Sequence, residues 1–173
     1  MKRINKTPKE SEVVKTELVL PNDTNSLDNL FGGRLLEWMD VSAAIAAQRH
    51  SNCVVVTASV DNVSFVEPIK QGDVVTLKAR VTRAFNSSME VYIEVTAENP
   101  RTKQHIGSNS AFYTLVAMDN EGHKVIVPEI KPETKEERKF FKTALQRREL
   151  RLVMAGKMRL KESLSLKDVL TDE

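Results

Sequence analysis

The stretch from Leu30 to His50 constrains this chain more than any other. Leu30, Phe31, Leu35, Leu36, Trp38, Met39, Val41, Ala43, Ala44, Ile45, Ala46 and Ala47 cover most of a helical circumference. Plotted at about 100° per residue, Arg34, Glu37 and Gln48 fall within about 60° of one another. A helix apolar on nearly every side is expected to be buried on nearly every side. Its alanines and the Gly32-Gly33 pair let other backbones approach closely. The rest of the chain must supply what surrounds it.

The segments that follow read as strands. Residues 54–65, VVVTASVDNVSF, are rich in β-branched side chains. EPIKQGD turns the chain at Pro68 and Gly72. Residues 74–85 alternate, with Leu77, Ala79 and Val81 on one face and Lys78, Arg80 and Thr82 on the other. Residues 89–98 alternate as well: Met89, Val91, Ile93, Val95 and Ala97 oppose Glu90, Tyr92, Glu94, Thr96 and Glu98. Asn86-Ser87-Ser88 joins these two as a hairpin, and 105–118 is the last long strand. Residues 13–21 form an earlier strand ending at Pro21. Strands joined by short turns predict an antiparallel meander, and its apolar face needs the helix as a cover.

At the ends, residues 1–11 are polar and expected to be disordered. Residues 12–130 form the main domain. Residues 131–173 are a basic helical extension with a helix over 132–162, where eleven Lys or Arg stand against four Glu between Lys131 and Lys161. A single cysteine, Cys53, forbids an intramolecular disulfide and fits a reducing, cytoplasmic setting. Cys53 reads as a core residue at the start of its strand. No secretory leader and no run near the ~18 apolar residues of a membrane span are present, so membrane insertion is not expected. The net charge of +2 gives no footprint for nucleic acid; the basic extension, interrupted by glutamates, reads as a solvated face.

Asp40 is the sharpest chemical feature. A carboxylate among apolar helix residues must be paired, protonated or functional. Either it faces a polar seam or a basic partner, or it does chemistry. Arg34 and Glu37, one turn apart, can pair with each other. Gly32-Gly33 at the helix start admits close backbone packing, or a ligand carbonyl held by unpaired N–H groups. Asn25, in the polar loop before, either caps a local N–H or offers its amide to a ligand. His50, His105 and His123 lack metal spacing, and no metal site is expected.

LPNDTNSLDNLFGGRLLEWMDVSAAIAAQRH resembles the hotdog-fold acyl-CoA thioesterases, in particular the cytosolic acyl-CoA hydrolase group. TASVDNVSFVEPIKQGDVV, SSMEV and the KPETKEERKFF tail resemble the same group. The resemblance spans roughly residues 13–150 and implies an α+β fold, with an antiparallel sheet wrapped around a long central helix. It implies hydrolysis of fatty acyl-CoA to free acid and CoA, with CoA as part of the substrate and no separate cofactor. A non-catalytic acyl-CoA-binding module on the same fold is the alternative. Asn25 and Asp40 would be the catalytic pair, one from each of two subunits of a homo-oligomer, commonly a hexamer built as a trimer of dimers. Gly32 or Gly33 would hold the thioester carbonyl, and Phe65, Arg83, Ser87 and Ser88 would contact substrate. Asp40 would serve as a general base tuned toward neutrality, or as a nucleophile. Two positions depart from the family pattern: Asp28 stands where relatives have Gly, and Asn86 where they have Arg.

Overall fold

The computed structural model describes residues 4–61, 63, 67–163 and 165. The chain divides into two units, Met1–Lys131 and Pro132–Glu173. In the first, β2 (Val13–Leu18), β4 (Val74–Ala84), β5 (Ser88–Glu98), β6 (His105–Met118) and β3 (Val54–Val60) form one antiparallel sheet. The spatial order is β2-β4-β5-β6-β3, so the meander β4-β5-β6 is central. A short parallel pair, β1 (Asn5–Lys6) with β7 (Glu129–Ile130), forms a separate two-stranded sheet beside β4. Between β2 and β3 in the chain, the helix α1 (Gly32–Ser51) crosses the sheet and packs on all five strands.

The alternation read from the sequence sets the core. Leu77, Ala79, Val81, Met89, Val91, Ile93, Val95, Leu115 and Ala117 are buried beneath Leu35, Trp38, Met39, Ala43, Ala46 and Ala47 of α1. Met39, fully enclosed, alone accounts for about 2 kcal/mol of hydrophobic stabilisation. A bulge between Val81 and Arg83 turns Thr82 from the expected polar face into burial. There its hydroxyl donates to Glu90 Oε1 at 2.8 Å.

Three expectations change. First, α1 is buried on one side only. Val41 is 43% exposed and Ile45 37%, and the apolar Val54, Val56 and Val60 of edge strand β3 are also open. One sheet covers one helical face, and the apolar residues on the remaining surface stay exposed among the described residues. Second, residues 4–11 are not without structure. Lys6 Nζ caps the C-terminal end of α1 by donating to the Arg49 and His50 carbonyls at 2.9 and 2.8 Å. Ser11 is buried, accepting from Val81 N at 2.9 Å. The segment is polar because its polar groups tie down backbone ends. Third, Cys53 is half-buried rather than enclosed.

In the second unit, α2 (Lys135–Met154) starts at Thr134, whose hydroxyl accepts from Glu137 N at 3.1 Å in a capping box. It ends well before residue 162. Gly156 adopts φ 67°, a left-handed conformation that favours glycine, and Lys157 N returns to Leu152 O at 2.8 Å. Beyond it, Ser163 Oγ and Ser165 N donate to the largely buried Glu149 Oε2 at 2.5 and 3.0 Å. Among the described residues, no helix is long and apolar enough to cross a membrane.

His50 closes α1 from inside the first unit. The ring is fully buried, and Nε2 donates to the Pro128 carbonyl oxygen at 2.8 Å. Nδ1 is sealed with no partner among the described residues. Burial holds its pKa below the ordinary 6.5, against the opposing pull of the Pro128 bond. The unfolded chain therefore takes up this proton first as pH falls. Stability from His50 is complete above about pH 6.5 and is lost as the pH drops toward the lower folded value. We expect the urea midpoint to fall more steeply between about pH 7 and 5 in the wild type than in His50→Leu, and matched urea titrations check it.

Candidate active site

Asp40 projects from the third turn of α1, half-buried rather than enclosed by apolar side chains. Its Oδ1 accepts a hydrogen bond from Thr57 Oγ1 at 2.7 Å. Thr57 lies on β3 opposite Leu115, on the face of the sheet that meets α1. Strand β3 thus fixes one carboxylate oxygen, while Oδ2 has no partner among the described residues. A carboxylate held by one oxygen and open at the other can accept a proton from water or attack a carbonyl. Nothing marked Thr57 in the sequence, because a threonine among valines reads first as a β-former. The one available signal was its place on the helix-facing side of the strand that follows α1.

The start of α1 is built by the loop before it. Phe31 is the N-cap residue and supplies no side-chain cap. Asp23 binds the loop at both ends: its Oδ2 accepts from Leu20 N at 3.0 Å and its carbonyl from Phe31 N at 2.8 Å. Arg34 pairs with Asp23 at 3.0 Å and with Glu37 at 2.7 Å. This carboxylate pair neutralises a cation that would otherwise oppose the positive end of the helix dipole. The N–H groups of Gly32 and Gly33 fall in the first turn, where an α-helix offers them no acceptor. A Cβ on Gly33 would stand 2.8 Å from the Phe31 ring, so glycine keeps this approach open. A cleft of about 550 Å³ opens here, lined in part by Thr24, Phe31, Gly33 and Arg34.

Asn25 sits exposed in a loop closed by a Thr24–Leu30 bridge and tied to the turn at Ile69–Gln71. Its Oδ1 accepts from Leu27 N at 2.9 Å and Asn29 N at 3.3 Å. The local-turn reading of this asparagine therefore holds for its oxygen, and the amide Nδ2 donates to no described residue. No hydrogen bond joins Asn25 to Asp40 within the chain. Arg83 lies 5.4 Å over the Phe85 ring, and the Ser87 carbonyl accepts from Ala117 N at 2.9 Å beside Ser88, the first residue of β5. The hairpin carrying them ends the same sheet row as Thr57, through Leu115, Met89 and Ala84. Along that row two strand spacings, about 10 Å, separate Thr57 from β5, which carries Ser88, and three, about 14 Å, from β4, which carries Arg83. Phe65 lies outside the described residues. Among those residues, no cluster of His, Cys, Asp and Glu is placed to hold a metal ion.

Asp28 now has a physical account. It adopts φ 55°, in the left-handed region, and its carbonyl accepts from Gln71 N at 3.0 Å. Glycine suits this conformation best, and aspartate is one of the few side chains that tolerate it. Asp28→Gly is expected to stabilise the fold by up to ~1 kcal/mol, or about 2–4 °C in Tm. Differential scanning calorimetry of the two proteins checks this.

A long helix cradled by a curled antiparallel sheet is the hotdog arrangement, and here an acid on the helix stands opposite a strand hydroxyl. Residues 27–104 match the thioesterase superfamily. A Bacillus subtilis protein described as an uncharacterized acyl-CoA thioester hydrolase is 46% identical over 139 residues, 80% of this chain and 81% of its own. A hexameric acyl-CoA thioesterase crystallised in the apo form superposes with a TM-score of 0.85 at 39% identity, covering 88% of this chain and 97% of its own. A Staphylococcus aureus acyl-CoA hydrolase, solved with butyryl-CoA, CoA and CoA disulfide, gives 0.81 at 36% identity, covering 96% and 99%. That enzyme has also been solved with an aspartate, an asparagine or a threonine replaced by alanine. The chain belongs to the thioesterase superfamily, among its hotdog-fold acyl-CoA thioester hydrolases.

Proposed function

We propose that this protein hydrolyses fatty acyl-CoA to free acid and CoA in the cytoplasm, using Asp40, Asn25 and the start of α1. The observation that carries this is the state of Asp40: Oδ1 is anchored on Thr57 at 2.7 Å and Oδ2 is open. The open oxygen takes the proton of an attacking water, or itself attacks the thioester carbon and, as the C–S bond breaks and CoA leaves as the thiolate, gives an anhydride that water then cleaves. The Asn25 amide orients the water or the thioester. The N–H groups of Gly32 and Gly33 receive the negative charge that develops on the carbonyl oxygen, each worth roughly 3 kcal/mol in the transition state. Arg83, Ser87 and Ser88 contact the CoA portion, and Phe65 the acyl portion. In the Staphylococcus hydrolase, the substituted asparagine, aspartate and threonine follow one another at the intervals that separate Asn25, Asp40 and Thr57 here. That correspondence supports all three assignments.

The site is completed by a second chain. Asn25 and Asp40 do not meet within one chain, and the uncovered Val41, Ile45, Val54, Val56 and Val60 form an apolar surface around the edge strand β3. A second copy seated there covers that surface and brings its own loop to Asp40. A hexamer as a trimer of dimers fits the hexameric relative. The test is thiol release from acyl-CoAs of increasing chain length. Binding of these esters without release would contradict the proposal.

A further inference from the structure

Tyr113 lies on β6 with its side chain on the helix-facing surface, between Val91 of β5 and Val60 of β3 in register. Thr57, which anchors Asp40, pairs with Leu115, the next β6 residue on that same face. The phenol therefore sits one step along the sheet from the residue that holds the carboxylate. Tyr113 is only 1% exposed. Its hydroxyl nevertheless bonds to no described residue, and it is not one of the polar atoms sealed without a partner. The small accessible part of the side chain is thus the hydroxyl itself. A buried ring with an unused polar tip is costly unless that tip meets water or a ligand. Burial pushes the phenol pKa up to about 12, and the Asp40 charge adds to the effect. At neutral pH this group is a protonated donor close enough to feel the carboxylate.

We propose that Tyr113 is a positioning residue of the hydrolytic site, its neutral hydroxyl donating a hydrogen bond to the water held on Asp40. This rests on the reading of Asp40 as the group that activates water. No proton leaves the phenol; it fixes the water and favours the ionised carboxylate. Ring packing alone would be served as well by phenylalanine, which makes the hydroxyl separable from the core.

Tyr113→Phe is the test, with kcat and KM measured across pH on a short acyl-CoA beside Asp40→Asn. We expect kcat to fall about tenfold, KM to stay within about twofold, and the acid limb of the kcat profile to move to higher pH. Wild-type kcat and an unmoved acid limb in Tyr113→Phe, with Asp40→Asn inactive, would overturn the role of Tyr113 alone. Wild-type turnover in Asp40→Asn would overturn the reading of Asp40, and the Tyr113 proposal with it. Should Tyr113→Phe fail to fold, the wild type still decides. The chain has two tyrosines, so ¹³Cζ-tyrosine labelling gives two resonances. The Tyr113 resonance must track carboxylate ionisation in the wild type and lose that response in Asp40→Asn; a resonance flat in both would overturn the proposal.

Discussion

Asp40→Asn is expected to leave a folded protein whose kcat toward acyl-CoA is at least ~100-fold below wild type. The substitution keeps the shape and an oxygen able to accept from Thr57 Oγ1, so the 2.7 Å contact that ties α1 to β3 survives. It removes the basicity of the other position, the one without a partner among the described residues. KM should change little, because the role proposed for Asp40 lies in the chemical step rather than in holding CoA. Steady-state kinetics with circular dichroism as a folding control checks both parts. Thr57→Val provides the complement: it leaves the carboxylate and frees it to rotate. Its loss should be smaller, since one anchoring hydrogen bond to a charged group is worth about 1.5–3 kcal/mol.

Val56→Asp is expected to abolish assembly and, with it, activity. Val56 is 45% exposed on β3, an edge strand on which Val54 and Val60 are open too. An aspartate there is well solvated in the isolated chain and unpaired against a second copy. Charges at edge strands are a common device for preventing such pairing. Burying one without a partner costs several kcal/mol, and each 1.4 kcal/mol weakens association tenfold. Light scattering should then report a single-chain mass, with thiol release falling in parallel. A single-chain protein that kept wild-type turnover would show that the site needs no partner.

Much of the fold was legible because burial follows period. The alternation over 74–85 and 89–98 names the residues that meet α1, and the Leu30–His50 run names the helix. What the pattern could not show is which chain does the covering. Val41 and Ile45 look like core residues in sequence, yet the chain's own sheet reaches only the face that carries Leu35, Met39 and Ala43. The N-terminal segment was misread for a related reason: Lys6 and Ser11 are polar because they satisfy a helix end and a strand N–H. The end of α2 was missed at Gly156, whose left-handed φ breaks a run that otherwise keeps its charge pattern.

The candidate site was legible where residue type conflicts with surroundings. Asp40 stands out in an apolar helix, and Gly32-Gly33 stands out at its start. Thr57 and Tyr113 do not, since both are ordinary strand residues whose polar atoms matter only through what the fold puts opposite them. Asp28 lies between these cases. Its replacement of a family glycine could be seen in the sequence, but its cause, a backbone at φ 55°, could not.

The proposed site is one chemical module divided between two chains, with Asn25 of one acting beside the carboxylate of the other. Mixing two inactive proteins tests it directly. Asn25→Asp keeps the oxygen that accepts from Leu27 N and Asn29 N and removes the amide donor; Asp40→Asn removes the base. Co-refolded in equal amounts, half of the random pairs are mixed and each mixed pair holds one intact site of two. Recovery of about a quarter of the wild-type rate is expected. A mixture no more active than its two parents would place the whole site within a single chain and contradict it.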